Sequence, residues 1–228
     1  MAVHDGHRER LKQSFIEHGL DAMNDITALE LLLFYAVPRR DTNELAHRLL
    51  DRFENLSNVF QASIQELTEV QGIGENTAIL LTMLPQMMKK SAVSATRTIR
   101  QLRTSREAGM YFIPRFINER DELMLAAFLN TQRTILCCCE VGRGVVDGVD
   151  INVRRIVEKA LKVRASSVIV AHNHPNGNLM PSREDDLFTK RLYNSLDLVG
   201  IRLADHVIVS GDEYISIADT GMMQLYRF

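Results

Sequence analysis

Residues 171–186 of this 228-residue chain read AHNHPNGNLMPSREDD, and they continue a short apolar run that begins at residue 167. This run is rich in β-branched side chains, which predicts a buried β-strand. Because side chains on a strand alternate between its two faces, His172 and His174 are expected on one face and Asn173 on the other. Two imidazoles at this spacing can reach one metal ion at about 2.0–2.1 Å. The stretch therefore predicts a strand that ends in a pair of metal ligands.

The residues after the histidines predict a turn and then a helix. Pro175 has no backbone N–H with which to continue a strand, and the Asn-Gly-Asn sequence of residues 176–178 favours a turn. Ser182 with an acid three residues later, Asp185, is typical of a helix N-terminus, so Asp185 can supply an oxygen ligand from the first helical turn.

Taken singly, a histidine here could be a core residue and the serine only a helix cap. The conjunction of two histidines and one carboxylate favours one zinc ion per chain. Three protein ligands leave a fourth tetrahedral position open for water, which is the layout of a catalytic zinc site.

The composition is that of an ordinary soluble globular protein, with 46% hydrophobic and 25% charged residues. The formal net charge of −2 gives no global field that attracts nucleic acid, so DNA binding would need a local patch. Without a signal-peptide pattern or an apolar run of about 18 residues, we expect a cytoplasmic protein with no membrane partner. The consecutive cysteines 137–139 would point to alternate faces of a strand, so we interpret them as small buried hydrophobes in a reducing compartment.

The periodicity along the chain predicts two domains of different class. Residues 1–90 have apolar positions at helical spacing, which predicts an all-helical N-terminal domain. Residues 91–104 are basic and rich in Ser and Thr, which indicates a linker. Residues 105–228 alternate helical and strand patterns, which predicts a single sheet flanked by helices. The expected fold class is therefore α/β, in its α+β form.

Between two predicted helices of the first domain lies Gly72-Ile73-Gly74. The glycines allow a tight turn and Ile73 can pack between the helices. The segment resembles a helix-hairpin-helix motif, in which turn amides bind a nucleic-acid phosphate, so these three residues are the candidate DNA contacts. The alternatives are a turn that only joins two helices and a hairpin that docks a protein. Glu75 and the absence of flanking lysines weigh against DNA.

Two other metal families with His-x-His fit poorly. A metallo-β-lactamase-like site needs an Asp-His pair directly after the histidines, where Pro175 and Asn176 stand, and an amidohydrolase needs a barrel of about 250 residues. The pattern His-x-His-Pro followed by Ser-x-x-Asp, at residues 172–175 and 182–185, instead resembles the JAMM (JAB/MPN-plus) metalloprotease motif. Together with Asn173 it is most similar to the bacterial RadC branch of that family.

The resemblance implies a fold and a role for each site residue. It implies a JAB/MPN-like domain with a mixed sheet flanked by helices, following a helix-hairpin-helix region. His172, His174 and Asp185 would hold the zinc ion. Ser182 would hydrogen-bond the oxyanion that forms when a carbonyl is attacked.

The family also places a general base at the start of an upstream strand, where this chain has Glu122. Glu119 and Asp121 are neighbours, and a slip of one or two residues is possible; the alternative interpretation of these acids is surface charge before a strand. Asp205-His206 also resembles the RadC pattern, and we interpret this pair as support for the ligands or the core. The chain departs from the family at residues 149–152, where relatives usually carry His-Pro.

The function implied is a zinc-dependent peptidase or isopeptidase acting on a protein or peptide. One alternative is a non-enzymatic DNA-structure-binding protein with a structural metal, since RadC proteins are customarily labelled DNA-repair proteins. Another is a metal-dependent nuclease. A single zinc with a serine donor suits acyl chemistry better than the two-metal clamp common in phosphodiester cleavage.

Overall fold

The computed structural model describes residues 3–38, 40–144 and 153–226, so the departure at residues 149–152 lies outside the described part of the chain. The chain divides into two compact units, Met1–Met88 and Lys89–Phe228. The first is helical and the second combines a mixed sheet with helices, which confirms the expected fold class. Among the helices of the described ranges, none combines the length and the apolar character that a membrane span requires.

Three helices of the first unit begin at side-chain caps. Asn24, Asn55 and Ser63 each accept a hydrogen bond from a backbone N–H in the first turn of the helix that follows. The helices are α1 (Val3–His18), α2 (Asp25–Ala36), α3 (Asn43–Phe53), α4 (Leu56–Gln61), α5 (Ile64–Thr68) and α6 (Glu75–Ala95). The apolar faces of α2 to α6 share one core, whose most buried members include Leu29, Leu33, Leu49, Leu67 and Leu81. Leu11 of α1 packs with Leu31 and Phe34 in a separate small cluster.

The helix α6 extends beyond the predicted start of the linker at residue 91. Its last turn contains neither Gly nor Pro, and a short 3₁₀ helix, Thr96–Thr98, follows it. Beyond that helix the chain is extended and Leu102 is buried. Residues 96–104 therefore do not continue α6. The domain boundaries near residues 90 and 105 stay a prediction.

The second unit contains, among the described residues, a five-stranded mixed sheet in the order β2-β1-β3-β4-β5. The strands β3 and β4 are parallel and the other neighbouring pairs are antiparallel. The bounds are β1 (Leu123–Leu129), β2 (Ile135–Arg143), β3 (Ser167–Asn173), β4 (Arg202–Ser210) and β5 (Glu213–Ser216). The antiparallel pairs β1–β2 and β4–β5 each join strands that are consecutive in the chain.

Helices cover both faces of this sheet. One face carries α7 (Ser105–Phe112), and the other carries α8 (Val153–Lys162) and α9 (Arg183–Asp197). Every residue of the central strands β1 and β3 is buried, because both of their faces are covered. The chain leaves β3, forms α9 on one face and returns as β4. The end of β3 and the start of α9 are therefore close in sequence and lie on the same side of the sheet.

Candidate metal centre

His172 and His174 converge at the end of β3. His172 shares the face of Val168 and Val170, which pack in the core beneath α8 and α9. The parallel ladder continues one residue past the strand, because the His174 N–H donates to the Val209 carbonyl at 2.8 Å. The two Nε2 atoms lie 2.9 Å apart, and both rings are buried. The expected projection of both histidines to one side is therefore what the structure has.

Asp185 completes the group from the first turn of α9. The Ser182 side chain caps this helix by accepting from the Asp185 N–H at 3.0 Å, and Asp185 accepts from the Ser182 N–H at 2.8 Å. The carboxylate thereby lies 3.0 Å from His172 Nε2 and 3.4 Å from His174 Nε2. Among the described residues these three side chains form a group whose ligand atoms all lie within 4.8 Å of one another.

The charges of the group are mutually dependent. Burial alone would raise the pKa of Asp185, but the adjacent imidazoles of His172 and His174, together with the Ser182 hydroxyl, hold that pKa far below its ordinary value of 3.8. The hydrogen bond to Asp185 in turn raises the pKa of His174, against the effect of burial. The site therefore concentrates one carboxylate charge against two imidazole nitrogens, which is an arrangement that a cation stabilises.

Both imidazoles use their other ring nitrogen for a protein contact. The Nδ1 atom of His174 lies 2.6 Å from the Asn178 carbonyl, which can only accept, so in the neutral ring Nδ1 carries the hydrogen and Nε2 keeps its lone pair. The Nδ1 atom of His172 lies 2.8 Å from Nε2 of His206. Two imidazole Nε2 atoms and a carboxylate are a donor set that fits zinc.

Asp205 and His206 make different contacts. His206 is fully buried and contacts His172, while burial holds its own pKa well below the ordinary value. The Asp205 carboxylate accepts from the backbone N–H groups of His206 and Ala218 and from the Ser216 hydroxyl. Asp205 thus joins β4 to the start of the C-terminal segment, and His206 alone of the two contacts a ligand.

Of the three acids considered for the general base, Glu119 is already engaged. It forms ion pairs with Lys89 and with Arg143, the latter at 2.6 Å, and these cations lower its pKa against the effect of burial. The side chain of Asp121 is exposed. Glu122 is half-buried and immediately precedes β1.

The register of β1 and β3 places Glu122 opposite the candidate metal ligands. Met124 pairs with His172 across the antiparallel β1 and β3, so two residues earlier on β1 correspond to two residues later on β3, which is His174. Consistent with this, the Glu122 charge contributes to the raised pKa of His174, after the larger effect of Asp185. The structure brings Glu122 near the ligand group but does not include it among the ligands.

The sequence did not predict the role of Asn173, which fixes the segment that carries Glu122. Its side-chain oxygen accepts from the Leu123 N–H at 2.8 Å, and its amide nitrogen donates to the Asp121 carbonyl at 3.1 Å. The amide therefore holds the backbone on both sides of Glu122. The alternation along β3 predicted only that Asn173 faces away from the histidines, because its partners depend on the pairing with β1.

The structure also describes the remaining candidate residues. In the first unit, Gly72 has φ +97°, in the region that favours glycine, and Ile73 is buried in the helical core. The Ser182 hydroxyl is exposed and donates to Asp185 at 2.6 Å. The cysteines pack on opposite faces of β2, as expected, and burial raises the pKa of Cys138 to about 11.

Comparison with known proteins matches both units to one family. Residues 102–222 match the RadC-like JAB domain, and residues 3–79 match the UPF0758 N-terminal region. The chain is 31% identical to UPF0758 protein FN0909 of Fusobacterium nucleatum over 225 residues, which cover 96% of this chain and 97% of that protein. It is 33% identical to UPF0758 protein BAV2405 of Bordetella avium over 94% of this chain and 96% of that one. The chain therefore belongs to the RadC-like JAB family; the names of these relatives state no activity.

Proposed function

We propose that this protein is a zinc-dependent metallohydrolase of the JAMM type, acting as a peptidase or isopeptidase. His172, His174 and Asp185 would hold one zinc ion. The observation that carries the proposal is the convergence of two buried Nε2 atoms on one carboxylate, with each Nδ1 atom already engaged by another group. With both rings neutral, such an arrangement is costly without a cation, because two nitrogen lone pairs and a negative charge face one another in a buried site.

The donor count supports catalysis rather than a structural role. Structural zinc sites usually have four protein ligands, whereas catalytic sites have three and leave one position for water or substrate. Among the described residues the group has three members. When bound, zinc supplies Lewis-acid chemistry, polarising a carbonyl and making water more acidic.

The remaining side chains supply proton transfer and orientation. Glu122 would take a proton from the attacking water and pass it to the leaving amine nitrogen. The Ser182 hydroxyl now donates to Asp185, and rotation about its Cβ–Oγ bond would aim the same hydrogen at the developing oxyanion. Three unpaired cysteines are compatible with a reducing compartment, so we place this activity in the cytoplasm.

Metal analysis and peptide or isopeptide hydrolysis together test the proposal. We expect one zinc per chain in the wild type, loss of zinc in His172→Ala and Asp185→Ala, and retention of zinc in Glu122→Gln. Glu122→Gln should lower kcat/KM by about 10²–10⁴-fold, as expected when a general base is removed. Glu184→Gln changes an exposed acid in the same helical turn and is the matched control. A wild-type protein that takes up no zinc, with Asp185→Ala unchanged, would contradict the proposal.

We propose DNA binding through residues 72–74 as a second function, which would connect the chain to the family's DNA-repair label. It is supported by the positive φ of Gly72, which allows a tight turn just before α6, and by Arg48, whose guanidinium donates to the Gln71 carbonyl beside the turn. Gly74 has space for a side chain, so Gly74→Asp adds a negative charge without a clash.

Fluorescence anisotropy with a labelled duplex tests this second function. Affinity should fall as salt rises, be lost in Gly74→Asp, and persist when zinc is removed. Ser57→Asp, an exposed helical position in the same unit, controls for the added charge. No binding by the wild type at low salt would exclude this function.

A further inference from the structure

Among the described residues, His206 is the imidazole that contacts the candidate ligand group without belonging to it, and it does not reach solvent. It lies on β4, opposite Val170 of β3, and none of its surface is exposed. Its ring contacts His172 on one side and the Thr189 hydroxyl on the other, at 2.8 and 2.6 Å. A polar ring that only filled space would leave its nitrogens unpaired, which is costly in a buried site.

The donor and acceptor in each hydrogen bond of this series follow from the bond between Thr189 and the Asp185 carbonyl. The Thr189 Oγ1 atom lies 2.5 Å from the Asp185 carbonyl oxygen, one turn earlier in α9. Two oxygens at that distance need a hydrogen between them, and a carbonyl has none, so the Thr189 hydroxyl donates. Having spent its only hydrogen, the hydroxyl must accept from Nδ1 of His206.

The same reasoning continues to the ligand. With its hydrogen on Nδ1, His206 presents an unprotonated Nε2, which accepts from Nδ1 of His172. Because a neutral imidazole carries one hydrogen, Nε2 of His172 keeps its lone pair. That nitrogen is the one that faces His174 and Asp185.

We propose that His206 is a positioning residue, which with Thr189 fixes His172 in the tautomer whose Nε2 lone pair faces the ligand group. The inference rests on the proposed zinc site and adds a residue that the ligand pattern does not include. Partners of this kind orient a metal-binding histidine and typically alter metal affinity by about 10–100-fold. Nδ1 of His174 is held by a backbone carbonyl, that of Asn178, whereas Nδ1 of His172 depends on the side chain of His206 from another strand.

Zinc affinity in matched variants tests the role. His206→Gln keeps an acceptor that can reach His172, and His206→Leu has a similar size without one. In competition with a chromophoric chelator, we expect His206→Leu to bind zinc about 10–100-fold more weakly than the wild type, and His206→Gln to recover most of the loss. Equal affinity in His206→Leu and wild type would overturn the proposal. So would equal losses in both variants, because that result assigns the ring a packing role only.

A second pair of variants covers a failure of His206→Leu to fold. Thr189→Val removes the hydroxyl at nearly constant volume, and Thr189→Ser keeps it. We expect weaker zinc binding in Thr189→Val and near wild-type binding in Thr189→Ser. The opposite order, or no difference between the two, would contradict the proposed hydrogen bonds from His172 through His206 to Thr189.

Long-range ¹H–¹⁵N correlation spectra of the metal-free protein read the tautomer directly. Nδ1 of His172 should carry hydrogen in the wild type, and in His206→Leu the Nε2–H form should gain population. An unchanged His172 pattern in that variant would overturn the inference. This measurement needs neither zinc nor substrate. It therefore tests the role of His206 independently of the proposed hydrolase function.

Discussion

The proton balance between Asp185 and His174 makes the metal-free centre sensitive to pH. Its hydrogen bond to Asp185 raises the pKa of His174 above 6.5, so the folded protein keeps a proton that the unfolded chain releases. The stability from this proton is fully present below about pH 6.5 and is lost as the pH rises through the raised pKa. The pKa of Asp185 is lowered, so its contribution is present above about pH 4 and is lost only in strong acid.

We therefore expect Asp185→Asn to cost the metal-free protein more stability at about pH 6 than at about pH 8.5. Urea unfolding in the presence of a chelator measures the two free energies of unfolding. The lowered pKa of His206 has the opposite sign, since its stabilising effect grows as the pH rises, but it is present in both proteins and largely cancels. A wild-type advantage that stays constant or grows toward alkaline pH would contradict this account of the His174 proton.

At the scale of elements, the centre depends on how β1 is held to β3. Asn173 satisfies the buried Leu123 N–H and the Asp121 carbonyl, so its side chain extends the pairing of the two strands beyond the register of their backbones. This contact fixes the segment that carries Glu122 to the strand that carries the histidines. The distance between Glu122, the proposed base, and the candidate ligands is thus set by two paired strands rather than by a single loop.

Asn173→Ala should lower the free energy of unfolding by about 1–3 kcal/mol, because the Leu123 N–H loses its partner. Since Glu122 would be less well positioned, kcat/KM should also fall while zinc affinity is kept. Asn176→Ala, in the exposed turn, is the control and should change stability by less than about 0.5 kcal/mol. Loss of zinc together with activity in Asn173→Ala would indicate instead that the residue supports the ligands.

The packing of α7 on the sheet also requires one small residue. Gly109 is buried in α7, and a Cβ atom there would overlap the ring of Tyr214 on β5. Gly109→Ala should therefore destabilise the protein by about 1–3 kcal/mol, despite the better helix propensity of alanine. In a Tyr214→Ala background the same change should cost much less, and equal costs in both backgrounds would contradict this packing.

What the sequence could predict follows from the range of the interactions involved. His172, His174 and Asp185 were predictable because each is placed by local rules, the alternation of a strand and the first turn of a capped helix. The partners Thr189 and His206 were not assigned to each other, because their contact requires the parallel pairing of β3 with β4. The end of α6 was also beyond local rules, since basic and hydroxyl residues are common in linkers and are tolerated in helices.

For the molecule as a whole, every residue of the candidate centre belongs to the unit Lys89–Phe228. Its sheet and both covering layers are formed within that unit. We therefore expect a fragment of residues 89–228 to bind zinc with the stoichiometry of the full chain, as measured by metal analysis after gel filtration. A folded fragment without zinc, beside a full-length protein that binds it, would contradict this independence.

The convergence of three side chains on one cation is tested most directly by anomalous scattering from a zinc-loaded crystal. One peak should lie at about 2.0–2.2 Å from His172 Nε2, His174 Nε2 and an Asp185 carboxylate oxygen. A zinc-loaded structure with no peak at these atoms, or with Asp185 turned into solvent, would contradict the account.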